Sequence, residues 1–343
     1  MQFGQCANKN KCKNGSKPEE IIENCKKVIE IEPDNYEAYY EWGSCQRCSR
    51  DRVDAPDGKE QLTKVIEICT EIIKNDPENI NALLYRADAG FKKAFEDYSK
   101  VIEIDPLNSR AYSGRAQMYD NSLEALKDFL KVIELDPQNI NAYHNIGSIK
   151  YGCLEDYFGA IEAFTRIIEI DANNEYAFMN RGNVKVDYIN VLGTRYDISG
   201  AIEDYSKTIE INPDNPYYYL SRGDAKKELH LYHEALEDFD IALKLGCSDD
   251  IYFYSCAKVK EQMNDFDGAV HDYKKAIQKE IEINPKALFY HFALCRFYCK
   301  RKEYDKAKEV YLTGMALHPI YTAEDYPTQW LEYEGLGDLI KYL

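Results

Sequence analysis

The sequence lacks a long apolar run. None of its 343 residues belongs to a stretch approaching the roughly 18 consecutive apolar residues of a membrane-spanning helix. Residues 1–17 are polar and lysine-rich and lack the apolar centre of a secretory signal. We therefore expect a cytoplasmic protein that has no membrane partner.

Positive charge is also scarce. Lys and Arg number 43 against 60 Asp and Glu, which gives a formal net charge of −17 at pH 7, and no basic block interrupts the sequence. Because nucleic-acid binding depends on neutralising phosphates with Lys and Arg, we expect no nucleic-acid partner. A helical-repeat RNA-binding protein stays as an alternative that this charge disfavours.

Short catalytic motifs are missing. The sequence has no Gly-rich phosphate loop, no His-Glu-x-x-His zinc motif and no nucleophile elbow. The six histidines are scattered, without a Cys or Asp partner at the spacing of a catalytic triad. We expect neither an enzyme nor a cofactor.

What the sequence does contain is a repeat with a period of about 35 residues. A small residue opens each copy, and an aromatic residue follows four positions later. The pairs are Ala94 and Tyr98, Ala125 and Phe129, Ala160 and Phe164, Ala201 and Tyr205, Ala235 and Phe239, Ala269 and Tyr273, and Ala307 and Tyr311. The spacing predicts one helix in each copy that packs on a neighbouring helix.

Each copy also carries a helix stop followed by a helix start. Proline stands twelve residues after four of the alanines, at Pro106, Pro137, Pro213 and Pro319, where it ends the helix. An Asn or Asp follows in most copies and predicts an N-cap. These caps are Asn35, Asn79, Asn108, Asn139, Asn174, Asn215 and Asp249. The helix after each cap has a small residue four positions beyond a large one, as in Tyr219 and Gly223, which permits close helix packing.

This pattern resembles the tetratricopeptide repeat family over about residues 18–319. The resemblance implies an all-α, right-handed superhelical solenoid of about eight hairpins, with an N-terminal half repeat and a C-terminal capping helix. The predicted repeats start near residues 36, 80, 109, 140, 175, 216, 250 and 288. Residues 1–17 form a polar, disordered tail and residues 320–343 the cap in this prediction.

The resemblance further implies a non-catalytic scaffold or adaptor with a protein or peptide partner. In this family the leading helix of each hairpin lines the concave groove that holds a peptide or a partner helix. Asn145 and Asn180 occupy equivalent positions in adjacent hairpins, and amide side chains both donate to and accept from a peptide main chain. The expected groove residues are Arg110, Asn141, His144, Asn145, Asn180 and Asn183.

The cysteines leave a second alternative open. Cys45 and Cys48 form a C-x-x-C, and Cys6 and Cys12 lie in the polar tail, so four thiolates are available for a tetrahedral zinc in a metal-dependent regulator. In the simpler interpretation, Cys45 packs in the core and the tail binds nothing. A further set stands at core positions of the pattern and predicts buried, reduced thiols. These residues are Cys25, Cys69, Cys256 and Cys295.

The acidic residues fall largely on the second helix of each hairpin, in segments such as "IEDY" and "LEDF". Charge runs of this kind are usually solvated. We therefore expect these acids on the exposed side of the second helices.

Overall fold

The computed structural model describes residues 18–48, 58–119, 122–192, 198–283 and 288–316. Within these ranges the chain forms 17 helices and no strand, which confirms the all-α class. The helices are α1 (Pro18–Ile31), α2 (Tyr36–Cys48), α3 (Lys59–Asn75), α4 (Ile80–Asp88), α5 (Ala94–Ile104), α6 (Ser109–Ala116), α7 (Ser122–Leu135), α8 (Ile140–Gly152), α9 (Tyr157–Ile170), α10 (Glu175–Leu192), α11 (Ile198–Ile211), α12 (Pro216–Glu228), α13 (Tyr232–Lys244), α14 (Asp250–Gln262), α15 (Phe266–Ile283), α16 (Phe289–Lys300) and α17 (Tyr304–Ala316).

The chain divides into two compact units, Met1–Arg166 and Ile167–Leu343, with the boundary inside α9. In each unit, helices that follow one another along the chain pack together as hairpins. The even-numbered helices from α2 to α16 are the leading helices, and the odd-numbered helices from α3 to α17 are the second helices. The predicted tail and the predicted cap lie outside the described residues.

Asparagine starts most leading helices, as predicted. The side chain of Asn79 accepts a hydrogen bond from the Ala82 amide at 3.0 Å, and Asn108, Asn139 and Asn174 do the same three residues ahead, at 3.0–3.1 Å. Asp249 accepts from the amide of Tyr252 at 2.9 Å. These caps satisfy amides that a helix start leaves without an intrahelical partner, so each hairpin begins at a defined residue.

The small residues of the leading helices allow the second helices to pack closely, also as predicted. A Cβ atom added to Gly147 would lie 2.8 Å from the ring of Phe164, and one added to Gly182 would lie 2.8 Å from the ring of Tyr205. Phe164 and Tyr205 are 2% and 3% exposed. Since the rings occupy the space that a side chain would need, the glycines determine how near the two helices lie.

The second helix of the seventh hairpin, α15, has 18 residues, and its last turn has a structural role. Glu280 in that turn is 5% exposed and accepts a hydrogen bond from the Tyr290 amide at 3.4 Å, at the start of α16. The N-cap residue of α16, Leu288, makes no side-chain cap. Glu280 therefore supplies from the preceding helix the acceptor that Asn or Asp supplies in other hairpins.

Candidate functional site

Buried ion pairs cross most of the hairpins, from the leading helix to the second helix. In unit 1, Nε and Nη2 of Arg86 donate to Asp97 at 2.9 and 2.7 Å. The equivalent pairs are Arg115 with Asp128, Arg181 with Asp204 and Arg222 with Asp238. In the seventh hairpin Cys256 stands at the arginine position, and Lys260, four residues later on the same helix, pairs with Asp272. All five aspartates are between 2% and 6% exposed. The expectation of exposed acids is therefore wrong for these aspartates, because each is buried beside a cation that compensates its charge. It is confirmed for Glu203 and Glu237 of the same segments, which are exposed.

The fourth hairpin replaces this pair with apolar residues. Ile146 of α8 and Ala163 of α9 stand where the other hairpins have Arg and Asp, and they are 3% and 4% exposed. Both belong to the same buried cluster as Phe129 and Val132. The ion pair is thus one of two ways in which this chain fills the same interior position.

Most of the predicted groove residues in unit 1 make contacts within the chain. Nε of Arg110 donates to Asp88 of α4 at 3.0 Å, and its guanidinium lies 4.6 Å from the centre of the Tyr85 ring. Nδ2 of Asn145 donates to the backbone carbonyl of Asn141 at 2.8 Å. The ring of His144 lies edge-on to Phe164, with centres 6.1 Å apart. Arg110, Asn141 and His144 are nevertheless exposed.

In unit 2, Asn183 of α10 supports the second helix of its own hairpin. Its Oδ1 accepts a hydrogen bond from the hydroxyl of Tyr205 at 2.8 Å. Asp88 accepts in the same way from Tyr98 in unit 1, and each acceptor follows the small residue of its leading helix. Asn180 is half-buried one turn earlier. Asn183 is therefore a packing residue as well as a predicted groove residue.

The first turn of each leading helix carries an exposed side chain six residues before the small residue. In unit 1 these side chains are polar: Glu37, Asn81, Arg110 and Asn141. In unit 2 they are aromatic or aliphatic: Tyr176, Tyr217, Ile251 and Phe289, exposed by 61%, 52%, 51% and 52%. We call these last four the apolar row. Its members recur at one position of the repeat.

A charged cluster lies on the later turns of the leading helices in unit 2. Nζ of Lys227 lies 2.8 Å from Asp224, which also accepts a hydrogen bond from Ser255 at 3.0 Å. Burial acts to lower the pKa of Lys227, but the adjacent Asp224 carboxylate outweighs it and the pKa is raised. These contacts join α12 to α14.

The same cluster continues from α14 to α16. Glu261 lies 3.3 Å from both Lys258 and Lys300 and accepts the hydroxyl of Tyr273 at 2.9 Å. Burial acts to raise the pKa of Glu261, yet Lys258 and its other partners hold it below its usual value. Lys300 is 66% exposed and Lys258 29%. Glu261, at 12% exposed, is thus more deeply buried than its two lysines, whereas Lys227, at 19%, is more buried than Asp224, at 35%.

The proposed zinc ligands are only partly within the described ranges. Cys6 and Cys12 lie outside them, and of Cys48 only the backbone in α2 is described. Cys45 is half-buried. Among the residues that the structure describes, no three His, Cys, Asp or Glu side chains are grouped so that they could hold a metal ion. The four-cysteine zinc site stays a prediction.

The buried thiols are where the sequence predicts them. Cys25, Cys69, Cys256 and Cys295 are buried, reduced and at most 6% exposed. Separately, none of the described helices is both long enough and apolar enough to cross a membrane.

No family model and no curated protein matches the chain. Among solved structures, the chain is similar to MamA, with 28% identity over 47% of this chain and 88% of that chain, at a TM-score of 0.40. It is similar to YrrB, a TPR protein with an unusual peptide-binding site, with 19% identity over 55% and 98% at 0.48. Similarity to the yeast Tom70 extends over 95% of this chain and 86% of that chain, with 14% identity and a TM-score of 0.46.

The repeat pattern of the sequence is realised in the packing of each unit. A stop, a cap, a small residue and a buried aromatic recur in this order from hairpin to hairpin. Gly147, Gly182 and Gly223 each contact the aromatic ring that the pattern pairs with them. This combination is typical of the tetratricopeptide repeat, and the chain has an all-α fold of tetratricopeptide-like helical hairpins.

Proposed function

We propose that the chain is a non-catalytic interaction scaffold that binds a protein partner, as an extended peptide or a helix, on the exposed side of its leading helices. The six groove residues predicted from the sequence belong to this surface in unit 1 (Arg110, Asn141, His144 and Asn145) and in unit 2 (Asn180 and Asn183).

One observation supports the proposal. The buried residues recur from hairpin to hairpin, whereas the exposed residues in the first turns of the leading helices do not. The buried aromatic, the small residue opposite it and the ion pair recur in most hairpins. At the equivalent exposed position, residues change from Glu37 and Asn81 in unit 1 to Tyr217 and Phe289 in unit 2. A constant framework with a variable, partly apolar exposed face is the arrangement that suits recognition of a partner.

Affinity capture followed by quantitative mass spectrometry tests the proposal. Two variants alter exposed side chains of the leading helices: Asn141→Ala/His144→Ala in unit 1 and Tyr176→Ser/Tyr217→Ser in unit 2. We expect at least one partner of the wild-type protein to be depleted about tenfold by one of these variants, because interface side chains near the centre contribute 1–2 kcal/mol or more each.

A matched control alters an exposed pair on a second helix. Lys207 and Glu210 of α11 form an ion pair and are 56% and 63% exposed, so Lys207→Ala/Glu210→Ala changes the surface and leaves the leading helices intact. The proposal is wrong if the partners are still captured by both leading-helix variants, or if their capture is lost only with the α11 control.

A further inference from the structure

The eighth hairpin, α16 and α17, carries a histidine where the other hairpins carry an aromatic or aliphatic residue. The position lies in the leading helix, four residues before the small residue. In the first seven hairpins it holds Tyr39, Leu83, Tyr112, Tyr143, Phe178, Tyr219 and Phe253. In α16 it holds His291, which is 3% exposed. A side chain that titrates near neutral pH is therefore buried at a packing position of the repeat.

His291 lies at the interface between the two helices of its hairpin. A Cβ atom added to Gly314 of α17 would lie 3.1 Å from both Cγ and Cδ2 of the imidazole. Gly314 stands seven residues after the alanine that opens its repeat, where α5 and α7 have the buried residues Val101 and Val132. The imidazole thus packs directly against the second helix, and a change in its charge acts on this interface.

The imidazole has no acceptor ready for a second proton. Its Nδ1 atom is buried and has no hydrogen-bond partner in the part of the chain that the structure describes. A neutral imidazole carries a proton on one nitrogen, whereas an imidazolium donates from both. Protonation would therefore place a charge and an unpaired N–H group in a buried position, which costs far more than the unpaired neutral nitrogen does.

No carboxylate of the neighbouring helices compensates such a charge. The carboxylates that act on α16 come from three elements: Asp249 and Asp250 at the start of α14, Glu261 at its end, Glu280 of α15, and Glu303 and Glu309 at α17. None of them influences the pKa of His291, which burial alone lowers. The nearest titratable groups on α16 itself are the buried thiol of Cys295 and the cation of Arg296, and neither can neutralise an imidazolium.

We propose that the eighth hairpin is an acid-sensitive element of the fold, in which uptake of a proton by His291 separates α16 from α17. Because the neutral imidazole is the favoured form in the packed hairpin, its contribution to stability is fully present above the unfolded pKa of about 6.5. That contribution is lost as the pH falls through the lower folded value. The tyrosines at the same position of other hairpins keep their protons over this range, so those hairpins stay closed.

Hydrogen–deuterium exchange of the full-length chain, read by peptide mass spectrometry, tests the proposal. Exchange at pH 7.5 and pH 5.0 is expressed as protection factors, which remove the pH dependence of the intrinsic rate. Uptake of one proton on opening changes the opening equilibrium by up to about tenfold per pH unit. We expect peptides of α16 and α17 to lose about tenfold in protection at pH 5.0. Peptides of α8, where Tyr143 holds the equivalent position, should change less than about twofold.

Matched variants assign the effect to the imidazole. His291→Phe places at this position the ring that Phe178 and Phe253 supply elsewhere, and His291→Gln keeps a polar side chain that does not titrate. The control is His271→Gln, which removes an exposed histidine of α15. We expect both His291 variants to lose less than about twofold in protection of α16 and α17, and the control to behave as the wild type. Glu280 is present in all four proteins, so its own titration cancels in the comparison.

Two results would overturn the proposal. One is unchanged protection of α16 and α17 in the wild type at pH 5.0, and the other is an equal loss in the wild type and in both His291 variants. Circular-dichroism melting curves show whether each variant is folded. Exchange of the histidine C2 hydrogen in the wild type measures the pKa of His291 without any substitution. A pKa of about 6.5 or above would also contradict the proposal, whether or not the variants fold.

Discussion

Arg115 of α6 donates two hydrogen bonds to the carboxylate of Asp128 on α7, from Nε at 2.8 Å and from Nη2 at 2.9 Å. In the next hairpin the same two positions hold Ile146 and Ala163. Two adjacent hairpins therefore fill the same interior position differently, one with a charged pair and the other with apolar side chains. The pair holds a hairpin together only while both of its members are present.

Replacing one member of this pair is expected to lower the free energy of unfolding. Asp128→Ala leaves the Arg115 guanidinium, whose side chain is 19% exposed, without its carboxylate. Breaking a buried pair in this way costs about 3–5 kcal/mol. Urea denaturation followed by circular dichroism measures the loss in free energy of unfolding.

The double variant Arg115→Ile/Asp128→Ala is the control that the neighbouring hairpin suggests. We expect it to be more stable than Asp128→Ala alone, because no unpaired charge is left in the interior. A double variant whose loss equals the sum of the two single losses would show that the pair is not coupled.

Close packing at Gly147 predicts a second outcome, with a control on the same helix. An added Cβ at Gly147 would lie 2.8 and 2.9 Å from ring atoms of Phe164, whereas one at Gly152 would meet nothing within 4 Å. We expect Gly147→Ala to lower the free energy of unfolding by about 1–3 kcal/mol through overpacking. Gly152→Ala should be neutral or stabilising by up to about 1 kcal/mol, since alanine favours a helix. Equal effects of the two substitutions in thermal denaturation would contradict the packing argument.

The framework was predictable from the sequence because its determinants are local. Asn79 caps a helix three residues ahead, and Gly147 lies in a fixed spacing pattern, so periodicity alone identifies both. The ion pairs were not predictable in this way. Asp97 lies 11 residues from Arg86 and Asp204 lies 23 from Arg181, and only the packed hairpin brings each pair together.

The candidate site was predicted less well for the same physical reason. Asn183 has the polarity of a groove residue, but its acceptor is used by the hydroxyl of Tyr205 on a different helix. A sequence pattern assigns a residue to one face of a helix. It does not show whether another side chain already uses the hydrogen-bonding atoms of that residue. Conversely, Ile251 resembles a core residue in the sequence, and only its exposure of 51% in the structure reveals it as surface.

Glu280 predicts a pH dependence. It is buried, it caps α16, and burial raises its pKa above the usual value, with Asp250 adding to the shift and the amides of Tyr290 and Phe289 opposing it. Because the pKa is higher in the folded state, the neutral carboxyl is the favoured form. Its contribution to stability is therefore present below the unfolded pKa of about 4.3 and is lost as the pH rises through the folded value.

Glu280→Gln should remove this dependence, because the amide keeps the size and the acceptor of the carboxyl without its charge. We expect the variant and the wild type to have similar free energies of unfolding at pH 4, and the variant to be the more stable at pH 7.5. Glu282→Gln on the same turn, where the side chain is half exposed, is the control and should change little. If the wild type instead becomes more stable than Glu280→Gln as the pH rises, the predicted direction of the pH dependence is wrong.

The cysteines predict a pattern of chemical reactivity. Burial raises the pKa of Cys69, Cys256 and Cys295 to about 12, against an ordinary 9.0. At pH 7.5 this lowers the thiolate fraction about a thousandfold, and the thiolate is the nucleophile. Cys153, just after α8, is exposed. We expect N-ethylmaleimide to label Cys153 within minutes in the native protein and the three buried thiols only after addition of denaturant, as peptide mass spectrometry can show.

Cys153→Ser should abolish its label and leave the protection of the other three unchanged. Rapid native labelling of Cys295 would show that α16 and α17 separate on the labelling timescale, contrary to the packed hairpin.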